Sequence, residues 1–366
     1  MRRGQLDLKP MVEISTRLSS QLKPIPPASD LAFGRYFTDH WFFAKYAKGK
    51  GWFEAAVEPY GKISLDPGAS VFHYGQALFE GLKAFGQPDG SISVFRPDFN
   101  VERMAHGAER LCLVAPPADL FKSGLKKLLQ ADARWIPKEP GCSLYIRPTL
   151  IGTEAFLGVR PSNEVMFFIM LSPVGNYYSS KSSTLRIWIE NKALRAAPGG
   201  LGATKAGANY AASLQAALVA KEKGFDQVLW TDVEHKAIEE VGTMNVFFVF
   251  KDEIVTPALN GSILAGGMRD SVIQWLKHKK QNVSERKLTV DELLQRQKKG
   301  ELLEAFGTGT AAVISPVGEF CYNDVCFAVN DRSPGVVSQG LYKDITAIQY
   351  GRAPDVFNWM KPAEQL

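Results

Sequence analysis

Two strand-rich stretches of this chain are parted by residues that suit neither, and that interruption constrains the fold most. Asn176-Tyr177-Tyr178-Ser179-Ser180-Lys181-Ser182-Ser183 has no apolar period of about 2 or 3.6, so it builds neither a strand nor a helix face. Ahead of it, Ser143 to Ile151 and Val165 to Leu171 read as buried strands; behind it, Thr184 to Ile189 starts another. With 366 residues, 45% of them hydrophobic, the chain exceeds one domain of roughly 150 residues. The expectation is an α/β protein with mixed sheets: a small N-terminal domain over 1–175, a linker over 176–184 and a larger domain over 185–366.

Local signals fill in both halves. Ser91 to Phe95 alternates like a strand. After Pro97, Asn100 is the expected cap of a helix whose apolar face is Val101, Met104, Ala108 and Leu111. Later come a helix from Asn209 to about Lys223, strands at Gln227 to Thr231 and Val246 to Phe250, and a hairpin ending near Thr256. Thr289 with Glu292 forms a capping box before a helix at Val290, stapled by Leu288 and Leu293.

Charge and composition exclude several roles. The 43 Lys and Arg against 38 Asp and Glu give +5, spread along the length. The densest basic cluster, Lys277-His278-Lys279-Lys280, reads as a solvated helix terminus and not a nucleic-acid patch, with no aromatic run beside it. Four cysteines make no disulfide framework. Cys321 and Cys326 face each other if Asn323-Asp324 turns a hairpin, and read as a reduced pair. Five histidines without an HExxH or CxxC spacing offer no metal site. Arg2 and Arg3 stand with Asp7 and Glu13, unlike a secretory or transit segment, and no apolar run approaches the roughly 20 residues of a membrane helix. A cytoplasmic protein is expected.

Three glycine-rich segments invite a phosphate. Gly307 to Ala312 fits G-x-G-x-x-A, but is expected to follow a helix and run into Val313-Ile314 without opening one, so a dinucleotide reading fails. Gly200-Leu201-Gly202-Ala203-Thr204-Lys205 lacks the end of a Walker loop, yet sets a lysine among small residues, where desolvation frees an amine for imine chemistry. Gly261 to Arg269 turns into a helix, so Gly267 and Met268 can direct backbone N–H groups at an anion, or simply begin a helix.

Five runs together resolve these alternatives: Tyr74 to Gly81 (YGQALFEG), Ser143 to Pro148 (SLYIRP), Lys205 to Tyr210 (KAGANY), Glu239 to Asn245 (EEVGTMN) and Phe306 to Ala311 (FGTGTA). In order and spacing, from about Phe33 to Tyr350, the chain resembles the branched-chain amino-acid aminotransferases, of the two-domain fold-type IV class of pyridoxal-phosphate enzymes. The resemblance implies pyridoxal 5'-phosphate held at the domain interface by Lys205, whose amine also moves the α-proton. It implies Glu240 at the pyridine nitrogen, Tyr210 at the phenolic oxygen, and Arg103, Gly267, Met268 and Thr310 at the phosphate. Phe33, Phe79, Tyr145 and Tyr177 are implied as pocket lining. Tyr74, Leu157 and Val159 are implied as lent by the other subunit of a homodimer. Arg147 with Tyr74 would meet the glutamate side-chain carboxylate, and Thr243 with the Ala311 N–H the α-carboxylate.

The sequence departs from the pattern at Ala265, where a proline is usual, and at Gly267-Met268, where two β-branched residues are usual. Ala312 and Ser315 stand where mammalian members carry a redox-active CxxC, which predicts no thiol switch there. The implied reaction moves the amino group of leucine, isoleucine or valine to 2-oxoglutarate. The rivals are a D-amino-acid aminotransferase or aminodeoxychorismate lyase of the same fold, and an inactive cofactor-binding scaffold.

Overall fold

A computed structural model describes residues 12–175 and 183–366. Most of the expected linker, residues 176–182 with Tyr177, and the first eleven residues lie outside the described residues.

The N-terminal half is built on a nine-stranded, mostly antiparallel sheet. Its centre is the pair Ser143–Gly152 and Glu164–Val174, flanked by His40–Ala47 on one side and Leu82–Gly86 on the other. Alternation sorts the side chains of Glu164–Val174. Phe167, Ile169 and Leu171 face a core with Phe121, Leu125 and Leu128 of the Ala118–Ala131 helix, while Met166, Phe168 and Met170 join Trp41 and Ile151 on the other face. That helix lies close against the sheet because Gly124 has no side chain: a Cβ there would stand 2.6 Å from the Phe42 ring. Met360–Pro362, near the chain's end, returns to this sheet by pairing with Ile92–Phe95, so the last residues of the stretch expected to form the larger domain pair with the first sheet.

The second sheet also has nine strands. Ile238–Val241 pairs both with Gln227–Thr231 and with Met244–Phe250, which closes six strands into a ring and removes their open edges. The ring is filled by Ile187, Leu229, Val246, Phe248 and Phe320, all with no measurable exposure. Helices Gly267–His278 and Val336–Gln349 pack outside it through Val272, Leu341 and Ile345.

Several local expectations are corrected. Asn100 does not cap its helix: the helix runs Pro97–Arg110, with Arg96 as cap at φ 49. Pro97 has no N–H to satisfy at the first turn, which leaves Asn100 buried inside the helix, donating to Glu80. The expected apolar face does form, with Met104 and Ala108 buried and Val101 and Leu111 packed beside them. Thr289 accepts from the Glu292 N–H at 3.0 Å, and the Leu288–Leu293 staple is fully buried. The Glu292 carboxylate, however, turns to Arg286 in place of closing the box. Gly307 to Gly309 end the strand Leu302–Gly309, without the helix expected directly before them, and the chain turns through Thr310 to Ala312 into Val313–Tyr322. Cys321 and Cys326 do face each other across an Asn323-Asp324 turn with both φ positive, but they form a disulfide, not a reduced pair. No helix among the described residues is long and apolar enough to cross a membrane.

Candidate active site

The residues of interest meet between the two sheets. Lys205 lies two residues before the first residue of the Gly207–Glu222 helix, and its carbonyl accepts from the Phe79 N–H at 3.2 Å, while Ala206 bridges to Leu78. A strand of the first sheet thus holds the lysine in place. The loop before it is shaped by Asn209, whose amide donates to the Leu201 and Thr204 carbonyls at 2.7 and 2.8 Å. Gly202 presses on Ser262, where a Cβ would come within 2.2 Å of the carbonyl oxygen. That contact gives the glycine-rich segment a packing role.

Lys205 Nζ donates to the Tyr210 hydroxyl at 2.8 Å and stands 4.9 Å from the Phe79 ring centre. Burial, with the Arg103 charge adding to it, pulls its pKa to about 7. An amine poised there is neutral in about half of the molecules near pH 7, and a nucleophile needs that neutral form. Tyr210 is pushed up, by burial first and then by Glu240, so its hydroxyl keeps its proton.

Glu239 and Glu240 are both buried on one strand and point to opposite faces. Glu239 is held by Asn260 and Ser262 on the side of the Asn260 loop. Glu240 accepts from the Leu264 N–H at 2.9 Å and lies 3.2 Å from Arg195 Nε. Burial raises the Glu240 pKa, with Arg195 opposing the rise. Glu240, Tyr210, Thr243 and Arg195 line one cavity. Thr243 itself sits in the two-residue turn Gly242-Thr243 that joins Ile238–Val241 to Met244–Phe250.

A second cavity is lined by Arg103, Gly81, Lys83, Gly267, Met268 and Thr310. Arg103 has five N–H donors. Two go to the fully buried Glu80 at 2.8 and 2.7 Å and one to the Ala265 carbonyl at 2.8 Å. The guanidinium is fixed and two N–H groups remain to face the cavity. Gly267 opens its helix there with no capping side chain, which leaves backbone N–H groups for an anion. Thr310 donates to the Gly81 carbonyl at 3.0 Å.

Phe33, Phe79, Tyr145 and Arg147 form one connected group. The Phe33 and Tyr145 rings meet edge-on at 4.8 Å, Arg147 donates to the Tyr145 hydroxyl at 3.1 Å, and its guanidinium lies 4.6 Å from the Phe79 ring centre. Arg147 Nε is buried without a partner. Ala311 lies by Phe33 in a different cavity from Thr243. Tyr74 donates to the Leu157 carbonyl on an exposed patch, where Leu157 is 65% and Val159 87% exposed.

Glu80, Lys83 and Arg195 were not singled out by sequence reasoning. Their signal was available for the first two: opposite charges inside the apolar run Ala77 to Phe85 must find partners if that run is buried. Among the described residues, no group of three or more His, Cys, Asp or Glu is arranged to hold a metal ion.

The profile of the family described as amino-transferase class IV matches residues 77–320. The chain is 50% identical over 347 residues to the branched-chain-amino-acid aminotransferase 2 of Bacillus subtilis, covering 94% of this chain and 96% of that protein. It is 45% identical over 334 residues to the branched-chain-amino-acid aminotransferase of Mycolicibacterium smegmatis, covering 90% and 91%. Among solved structures, the branched-chain amino acid aminotransferase from Escherichia coli matches with a TM-score of 0.71 at 22% identity, over 89% of this chain and 99% of that one. That likeness establishes the fold.

Proposed function

The chain belongs to the class IV aminotransferase family, and from that premise we propose that it moves the amino group of L-leucine, L-isoleucine or L-valine to 2-oxoglutarate. The relatives' names point to those donors. The residues also fit pyridoxal 5'-phosphate, the cofactor of the family. Arg103 leaves two N–H groups for a phosphate beside the Gly267 helix start, Glu240 offers a carboxylate to a ring nitrogen, and Lys205 offers an amine to an aldehyde. The observation that carries the reading is the buried Lys205 amine, its pKa pulled to about 7, 2.8 Å from the Tyr210 hydroxyl.

When bound, the cofactor supplies an electron sink for the pair left on the substrate α-carbon. The rest falls to the chain. Lys205 would hold the cofactor, and its free amine can take the α-proton and return it. Tyr210 orients that amine and keeps a proton for the cofactor's phenolic oxygen. Arg195 opposes the burial that raises the Glu240 pKa and so favours the carboxylate, which would help keep a ring nitrogen protonated. Arg103, Gly267, Met268 and Thr310 bind the phosphate. Arg147, with Tyr74 lent by the other subunit, would meet the glutamate side-chain carboxylate, while Phe33, Phe79 and Tyr145 exclude water from an aliphatic side chain. Thr243 and the Ala311 N–H would bind the α-carboxylate from the cavities they line; Tyr177, which the resemblance implies as lining, lies outside the described residues.

The reading includes a homodimer in the cytoplasm, divided into domains at 176–184. The exposed Tyr74, Leu157 and Val159 would complete the partner's site, which accounts for so open an apolar patch. The test is the visible absorption of the holoenzyme. Loss of its yellow band with L-leucine and recovery with 2-oxoglutarate is expected. A band that answers D-alanine and ignores leucine would replace this reading with the D-specific one.

A further inference from the structure

Lys83 is a buried cation with one hydrogen-bond acceptor and no ion pair among the described residues. It is 7% exposed and lies opposite Tyr145 in the antiparallel pairing, so it leaves the sheet on the same face as that pocket residue. Its ammonium donates to the Ala311 carbonyl at 2.8 Å, across 228 residues of sequence and from one sheet to the other. It lines the cavity of Arg103 and Thr310 on one side, and on the other a cavity with Ala312 and Tyr350. Burial pulls its pKa to about 8. A methionine would fill that space without the cost of burying a charge, so packing does not account for a lysine here.

The turn it holds is strained. Val313, directly after Ala311-Ala312, has φ 64, a left-handed conformation that a β-branched residue adopts only under outside constraint. Two tethers from the first sheet supply constraint: Thr310 to the Gly81 carbonyl, and Lys83 to the Ala311 carbonyl. The Ala311 N–H lies in the peptide between those two anchor points.

We propose that Lys83 is a positioning residue of the substrate site: by holding the Ala311 carbonyl it fixes the direction of the Ala311 N–H toward a substrate α-carboxylate, and it places a positive charge behind that turn. The proposal rests on the aminotransferase reading, which leucine turnover by the parent holoenzyme tests separately. Lys83→Met keeps most of the apolar stem and removes the donor. Two inhibitors serve as probes, 4-methylvaleric acid and its alcohol, 4-methylpentan-1-ol, which lacks the carboxylate.

With the variant holoenzyme, the KM for leucine and the Ki for the acid are expected to rise about ten-fold, the scale of one hydrogen bond to a charged group. The Ki for the alcohol should stay within about two-fold and kcat within about three-fold. Equal weakening of acid and alcohol, or no weakening of the acid, overturns the assignment. Should Lys83→Met not fold, Lys83→Gln carries the same test, since its amide is too short to reach Ala311 and the same ten-fold rise is expected.

Discussion

Gly81→Ala is a one-carbon change with a calculable effect on the substrate pocket. A Cβ at Gly81 would stand 2.0 Å from the Tyr145 hydroxyl oxygen and 2.9 Å from its Cζ. Ordinary non-bonded contact is about 3.5 Å, so the hydroxyl must retreat by roughly 1.5 Å. It has little room: Tyr145 is 7% exposed, with Phe33 at 4.8 Å and the Arg147 guanidinium 5.2 Å from its ring centre. The displacement therefore passes to Arg147, which donates to that hydroxyl. A misplacement near 1 Å costs on the order of 100-fold in rate. We expect kcat/KM for 2-oxoglutarate to fall about 100-fold in steady-state assays, with the cofactor absorption retained. Tyr145→Phe alone should lose about ten-fold, one hydrogen bond to a charged group. The double variant should fall between the two single ones, because removing the hydroxyl lifts the closest clash and leaves the approach to Cζ. Wild-type kinetics in Gly81→Ala, or simple additivity in the double variant, would refute the reasoning.

Arg195→Met leaves Glu240 buried with no cation beside it, a change worth about 3–5 kcal/mol. The melting temperature of the cofactor-free protein should drop by several degrees, and an unchanged melt would contradict the ion pair's importance. Glu240 titrates above its usual value in the fold. Its ionisation thus costs stability as pH rises from the unfolded carboxylate range through the folded pKa, more steeply in Arg195→Met than in the parent. Lys205 has the opposite sign of slope. Its folded pKa of about 7 lies below the ordinary lysine value of 10.5, so protonation costs stability below pH 7 and that cost fades as pH rises through this window. In the cofactor-free protein, Lys205→Met should flatten the rise in melting temperature between about pH 7 and 10 relative to the parent; identical profiles would rule out the buried amine. Leu157→Asp places a charge on the exposed Tyr74–Val159 patch and should give an inactive monomer by sedimentation, whereas an active dimer would remove that patch from the interface.

Local chemistry was readable where the partners are near in sequence. The Leu288–Leu293 staple, the Asn323-Asp324 turn and the strand at Gln227–Thr231 all stand as the sequence implies. Lys205 and Tyr210, five residues apart across the start of the Gly207–Glu222 helix, come together through largely local geometry. What escaped depends on contacts between distant segments. Asn100 has the local preference of a cap, but Glu80, twenty residues earlier, draws it into the interior. Nothing near Glu80 reveals Arg103 as its partner, and nothing near Lys83 reveals Ala311. The closure of six strands into a ring, and the return of Met360–Pro362 to the first sheet, are matters of strand order that no period in the sequence encodes.

Four hydrogen bonds run from the first half of the chain to the second and end in or beside the walls of one cavity: Arg103 to Ala265, Arg96 to Gly267, Lys83 to Ala311, and Thr310 back to Gly81. The pocket is therefore also the seam of the molecule. A hinge motion that parted the halves would dismantle that cavity, so access has to come from side chains and loops at the rim. The same arrangement makes bound cofactor a rivet: heat must break the seam to release it, and inactivation should coincide with separation of the halves.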